Sequence, residues 1–192
     1  KMDSLHKIYI MQSQLKEQTA EKHRIAERKP FNMRMFKGEL NLQAYMHYLE
    51  QQLAIFTELE KHPLPHPSLN RIESISADIQ ELETAGALRK GELTATTTYK
   101  NYLSGLTASE QLPHIYLHYL AIAYGGQIMK TKVPSKGLFY DFHNFEACIL
   151  SIRQIQQDSW VNEVNKGYDA IINIFDAHEA TILETTKMIE HA

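Results

Sequence analysis

The chain has 192 residues, 43% hydrophobic and 22% charged, with a formal net charge of −3. That is the balance of one well-cored globular domain, without the charge that would draw it to nucleic acid or an anionic membrane. No apolar run approaches the roughly 20 residues of a membrane span. A single cysteine, Cys148, excludes an internal disulfide framework and a cysteine-based zinc site, and fits a reducing cytoplasm.

The opening stretch KMDSLHKIYIMQSQLKEQ is too polar for the core of a signal peptide. Residues 3–28 are predicted to form one helix, capped by Asp3, with Leu5, Ile8, Met11 and Leu15 as its apolar stripe. Thr19, His23 and Glu27 follow at steps of four and continue the face of Leu15; Lys16 and Lys22 are placed to meet an anionic group. Taken alone, a histidine on such a buried face reads more readily as a hydrogen-bonded core residue than as a ligand. Pro30 ends the helix, and FNMRMFKG reads as a short turn stopping at Gly38. A second helix spans about 42–61, with Leu42, Tyr45, Leu49, Leu53, Phe56 and Leu59 on one face. The proline-rich HPLPHP closes it as a loop in which His62 and His66 are solvated.

Residues 68–85 form an amphipathic helix through Ile72, Ile75, Ile79 and Leu82, stopped at Gly86, and 94–106 a weaker one. Ser109 caps the next helix, with Pro113 tolerated in its first turn. Its apolar body, LPHIYLHYLAIAYGGQIMKTKV, carries Gly125 and Gly126 near the middle. Two interior glycines weaken a helix by roughly 1–2 kcal/mol relative to alanine. Close approach of another helix or a flat ligand to bare backbone offsets that cost, and the pair is also a kink site. After a loop at 133–137, Phe139, Tyr140, Phe142 and Phe145 cover the core. Two last helices run about 144–156 and 159–189, the second periodic through Val164, Ile171, Ile174, Phe175 and Ile182, with Trp160 as its anchor. With no strand pattern and no repeat, the expected fold is all-α, a single multi-helix domain over residues 1–192.

Ten histidines are many for this length, yet neither His-Glu-x-x-His nor Glu-x-x-His occurs, which counts against a zinc protease helix and a di-iron bundle. A first helix ending in a histidine and a later one opened by Gly-Gly can instead sandwich a planar ligand. One axial imidazole on a heme leaves the opposite iron position open to a gas.

The residues concerned are similar to those of a known family. Leu15-Lys16-Glu17-x-Thr19-x-x-x-His23-x-x-Ala26-Glu27 resembles the proximal helix of the heme oxygenases. Phe36-Lys37-Gly38 and Tyr45, Leu49 and Leu59-Glu60 resemble the segment after it. Tyr116-Leu117-His118-Tyr119-Leu120-Ala121-Ile122-Ala123-Tyr124-Gly125-Gly126-Gln127 is similar to the distal helix, with its Gly-Gly-Gln hallmark. Gly137-Leu138-Phe139-Tyr140-Asp141-Phe142 resembles a Gly-Leu-x-Phe-type segment further on, and order and spacing agree over about residues 12–185. The resemblance implies His23 as the axial ligand of heme iron, with Glu27 as its partner. It puts Gly125 and Gly126 on the distal face with Tyr124 beside them, and Lys16, Tyr116 and Arg153 at the heme propionates.

The implied reaction is O₂-dependent opening of heme to biliverdin, CO and iron, in which heme is both cofactor and substrate. Electrons would come from a separate reductase or ferredoxin, because no Gly-x-Gly-x-x-Gly is present. Some members carry a C-terminal membrane anchor, whereas the polar last helix here implies none. The distal helix departs from the family. Many members read Gly-Asp-Leu-Ser-Gly-Gly, and plant-type members place a histidine at the aspartate; this chain has Ala121-Ile122-Ala123-Tyr124-Gly125-Gly126. The family's aspartate organises a distal water for proton delivery, whereas Ile122 cannot hydrogen-bond. Phe56 also stands where a tyrosine of that network is often found. Proton delivery then falls to waters held by Tyr124, His118 or backbone carbonyls, or else the chain is a heme carrier or sensor of the same fold. Thiaminase-like enzymes share the helical architecture but need a cysteine nucleophile. Cys148 is the one candidate, in an apolar helix where cysteine usually fills core.

Overall fold

Caps and chain breakers divide residues 14–190, which the computed structural model describes, into eight α-helices with no strand among them. They are α1 (Gln14–Glu27), α2 (Pro30–Lys37), α3 (Leu42–Leu59), α4 (Ile72–Thr84), α5 (Thr94–Ser104), α6 (Ala108–Met129), α7 (Phe145–Ile155) and α8 (Val161–Glu190). Short 3₁₀ turns fall at Pro67–Leu69, Leu138–Tyr140 and Asp158–Trp160. The all-α expectation holds. Asp3, Leu5, Ile8 and Met11 lie outside the described residues.

Three local expectations are corrected. The stretch read as a turn is the helix α2: Pro30 opens it at a position where the missing N–H costs nothing, and Gly38 closes it at φ 73°. The cap of α6 is Thr107 rather than Ser109, in a reciprocal box with Glu110. Pro113 therefore sits inside α6, beyond its first turn, and the helix runs unbroken through Gly125 and Gly126 to Met129. Phe139 and Tyr140 do not cover the core but belong to it, both fully buried. Asp78 on α4 holds that turn by accepting the N–H groups of Leu138 (3.1 Å) and Phe139 (2.8 Å).

Helix α8 is the spine, with α1, α2, α5 and α6 all packed along it. Leu15 donates its N–H to Asp158 Oδ1 at 3.0 Å, just before α8 begins. Lys22 then pairs with Asp169, Lys29 with Asp176 at 2.7 Å, and Arg34 with Glu179 at 2.9 Å. Partners advance together along both chains, so α1 and α2 run in the same direction as α8. Exposed pairs of this kind contribute only about 0–1 kcal/mol each, and their main effect is on register. The buried apolar set of Leu15, Phe31, Leu49, Phe56, Tyr119 and Ile152 supplies the cohesion, at roughly 1.5–3 kcal/mol per fully buried side chain. Arg71 is buried too. It donates to the carbonyls of Ser68, Leu69 and Asp141 at 2.7–3.1 Å, under the ring of Phe142.

Among the described residues four histidines are buried: His47, His114, His118 and His178. Burial, reinforced by a neighbouring histidine, pushes His118 and His178 down to about 3. Both stay neutral in the folded chain while the unfolded chain protonates below about 6.5, so stability is present at neutral pH and lost as pH falls from there toward 3. The expected loss between pH 7 and 5 is about 2 kcal/mol for each of the two. Urea unfolding against pH checks it: His178→Leu should flatten the acid limb, and an unchanged slope would contradict it.

Candidate functional site

On α1 the buried residues are Leu15, Thr19 and Ala26. A step of four residues overshoots a full turn by about 40°. The row Leu15, Thr19, His23, Glu27 therefore rotates by about 80° at His23 and 120° at Glu27. The face expected to be buried thus turns outward, and His23 stands with its side chain 53% exposed. Its Nε2 lies 3.3 Å from Glu27 Oε1. Its ring centroid is 5.9 Å from that of Tyr168 on α8, a residue with no signal in the sequence beyond its place in a periodic helix.

Helix α6 has an open side of its own. Ala121, Tyr124 and Ile128 are exposed, the last two by 45% and 53%, and Gly125 is half-buried among them. The two glycines have different jobs. A Cβ at Gly126 would lie 2.4 Å from Tyr140 Cδ1, so its bare backbone admits the Tyr140 ring from the core side. A Cβ at Gly125 would meet only Phe36 Cζ, at 3.9 Å. Gly125 leaves open surface; Gly126, expected on the same face, serves the core instead.

The remaining expected residues gather at one end. The Arg153 guanidinium on α7 lies 5.7 Å from the ring centre of Tyr116 and 6.0 Å from that of Tyr124. Tyr116 also meets Trp160 edge-on at 6.3 Å. Lys16 is exposed in the first turn of α1, beside the Leu15 N–H that Asp158 holds two residues before Trp160. Burial raises the Tyr168 phenol, and the nearby Tyr116 and Glu27 add to the rise, which puts Tyr168 between the two helices. Helices α1 and α6 each pack on α8 without extensive contact with each other. His23 on α1 and Ala121, Tyr124 and Ile128 on α6 are thus accessible side chains on two helices that share α8 as their support. The exposed Ala121, Tyr124 and Ile128, with the Arg153 guanidinium beside Tyr124, make an apolar patch of the kind that marks a binding surface.

Two further observations narrow the chemistry. No group of three or more His, Cys, Asp or Glu side chains among the described residues could hold a metal ion. Cys148 is fully buried and its thiol is pushed up by that burial, the reverse of an activated nucleophile. Ile122 is buried, and Phe56 packs edge-on against His118, Tyr119 and Phe139, so neither presents a polar group on the open side of α6.

The family model described as heme oxygenase matches residues 10–181. The chain belongs to the heme oxygenase family. Its fold is that of heme oxygenase-1 from the cyanobacterium Synechocystis, solved in complex with heme, at a TM-score of 0.76 and 21% identity over 93% of this chain and 96% of that one. Heme oxygenase-2 from Synechocystis, solved with heme and NO, aligns at 0.74 and 18% identity over 90% and 86%. Heme oxygenase from Leptospira interrogans aligns at 0.68 and 21% over 84% and 96%. No curated protein matches the chain by sequence.

The glycine pair yields a direct contrast in the heme-free protein. Gly126→Ala should lower stability by about 1–3 kcal/mol through the clash with Tyr140. Gly125→Ala should leave it unchanged or raise it by up to about 1 kcal/mol through helix propensity. Thermal unfolding of both variants tests this, and equal behaviour would contradict the division of roles.

Proposed function

We propose that the chain binds heme in a trough between α1 and α6, with His23 as axial ligand to the iron, and opens the ring with O₂ to biliverdin, CO and iron. The observation that carries the reading is His23 itself, an accessible imidazole on a helix that shares α8 with the helix carrying bare backbone at Gly125. Glu27 would fix the orientation of the imidazole and raise its basicity. Ala121, Gly125 and Ile128 would meet the other face of a flat apolar ring. Arg153 and Lys16, with the Tyr116 hydroxyl, suit two carboxylates at one edge. Two similar structures solved with heme support heme as the group bound.

Heme, when bound, supplies the iron that activates O₂ and the ring that is cleaved. The chain's own residues then orient the ring, exclude water and deliver protons, while an external reductase or ferredoxin provides electrons. Ile122 favours a second reading, a heme carrier or sensor, because no carboxylate or imidazole occupies that position on α6. One experiment separates the two. Hemin is added, then a reductase system or ascorbate in air, with catalase present. Decay of the Soret band into biliverdin absorption, with biliverdin identified by mass, is the expected result. A stable Soret band makes this a carrier, and no Soret band refutes the heme site.

A further inference from the structure

Among α5, α6 and α8 lies a buried polar chain that nothing above uses. The Tyr99 hydroxyl on α5 sits 2.8 Å from His114 Nδ1 and 3.0 Å from His118 Nε2. His114 Nε2 has no hydrogen-bond partner and lies 3.4 Å from Glu163 Oε2, a small side-chain swing short of a bond. Glu163 is at the surface, held by Tyr102 and Lys166 at 2.6 Å each. At the other end, His118 precedes Gly125 by seven residues and so points within about 20° of it around α6; Ala121 stands one turn on.

Gly167 lets this chain stay dry. A Cβ there would lie 2.5 Å from Leu117 and 3.2 Å from His114 Nδ1, so only a glycine allows α8 to close over the histidines. Polar groups this deeply buried are costly unless each is bonded. The one orphaned atom of the chain, His114 Nε2, is the atom that points to the surface carboxylate.

We infer that Glu163, His114, Tyr99 and His118 form a proton relay from the surface to the trough, in place of the distal carboxylate that Ile122 removes. The inference rests on the heme reading. A proton taken from solvent by Glu163 passes to His114 Nε2, and His114 releases its Nδ1 proton to the Tyr99 oxygen. Tyr99 passes its own proton to His118 Nε2, and His118 releases its Nδ1 proton toward the trough. One proton enters and one leaves, no group changes its net charge, and both histidines end in the opposite tautomer, from which they must return before the next transfer. Burial holds Tyr99 far above the usual phenol range and both histidines below the usual imidazole range, so the chain passes protons without storing charge. The titratable groups facing it are Tyr99 and Tyr102 on α5, Glu163 and Lys166 on α8, and Glu110 with the two histidines on α6.

Tyr99→Phe tests the relay by deleting one oxygen within an otherwise intact core. Ring opening should slow about a hundredfold at unchanged heme affinity. Raising the concentration of a small buffer acid should restore part of the rate in the variant and leave the wild type unaffected. In heme-free protein, ¹⁵N NMR of the histidine rings should show defined tautomers at His114 and His118 that become mixed in Tyr99→Phe. Glu163→Gln leaves the buried part untouched and should remove the entry point, slowing ring opening and shifting its pH profile. Wild-type rates without buffer dependence in both variants, or unchanged tautomers, would overturn the relay. A wild type that binds heme but never opens it would overturn the relay and leave the binding site standing. A wild type with no Soret band removes both.

Discussion

The proposed heme site depends on α1 and α6 both packing against α8 rather than extensively on one another. Asp158 holds the start of α1 through the Leu15 N–H, and the pairs from Lys22, Lys29 and Arg34 to Asp169, Asp176 and Glu179 keep its register along α8. On the other side, Gly167 lets α8 come against Leu117 and His114 of α6. In the proposed site, the spacing of α1 and α6 follows from how each is fastened to the same helix. This is a better foundation than a direct contact between the two, which would have to break for a ligand to enter.

Within that frame α6 serves three neighbours at once. Gly126 admits the Tyr140 ring, Gly125 leaves a bare patch on the open side, and His114 and His118 meet the buried Tyr99 of α5. A helix with buried residues on nearly every side loses little by carrying a glycine pair, because its neighbours rather than its propensity hold it in place. The substitution at Ile122 is local in the same sense. It removes a polar group from one position on α6 while a polar chain remains one turn earlier, at His118.

Much of this was readable from residue order. The apolar periods located all eight helices except α2, and the His23 block with Gly125-Gly126 pointed to the family that the whole-chain match shows. Pro30 misled because it ends one helix and opens another, and only the next eight residues decide which. Thr107 was passed over for Ser109 although its partner Glu110 stood three residues on, the spacing of a capping box. Steps of four from Leu15 to Glu27 look aligned over one turn but drift over three, so the row does not stay on one buried face. Tyr168, Gly167 and Asp158 were out of reach for another reason. Each acts through a partner 50 to 150 positions away, and a lone glycine in a helical pattern was the only local hint of such a contact.

The central claim is that His23 ligates heme iron in this trough, and ligation is read most directly from the ferrous complex by resonance Raman spectroscopy. Wild-type protein titrated with hemin and then reduced should show an iron–histidine stretching band that shifts when the histidines carry ¹⁵N. His23→Ala should lose that band, and added imidazole should return it. An unchanged band in His23→Ala would place the ligand elsewhere among the ten histidines and contradict the site described for α1.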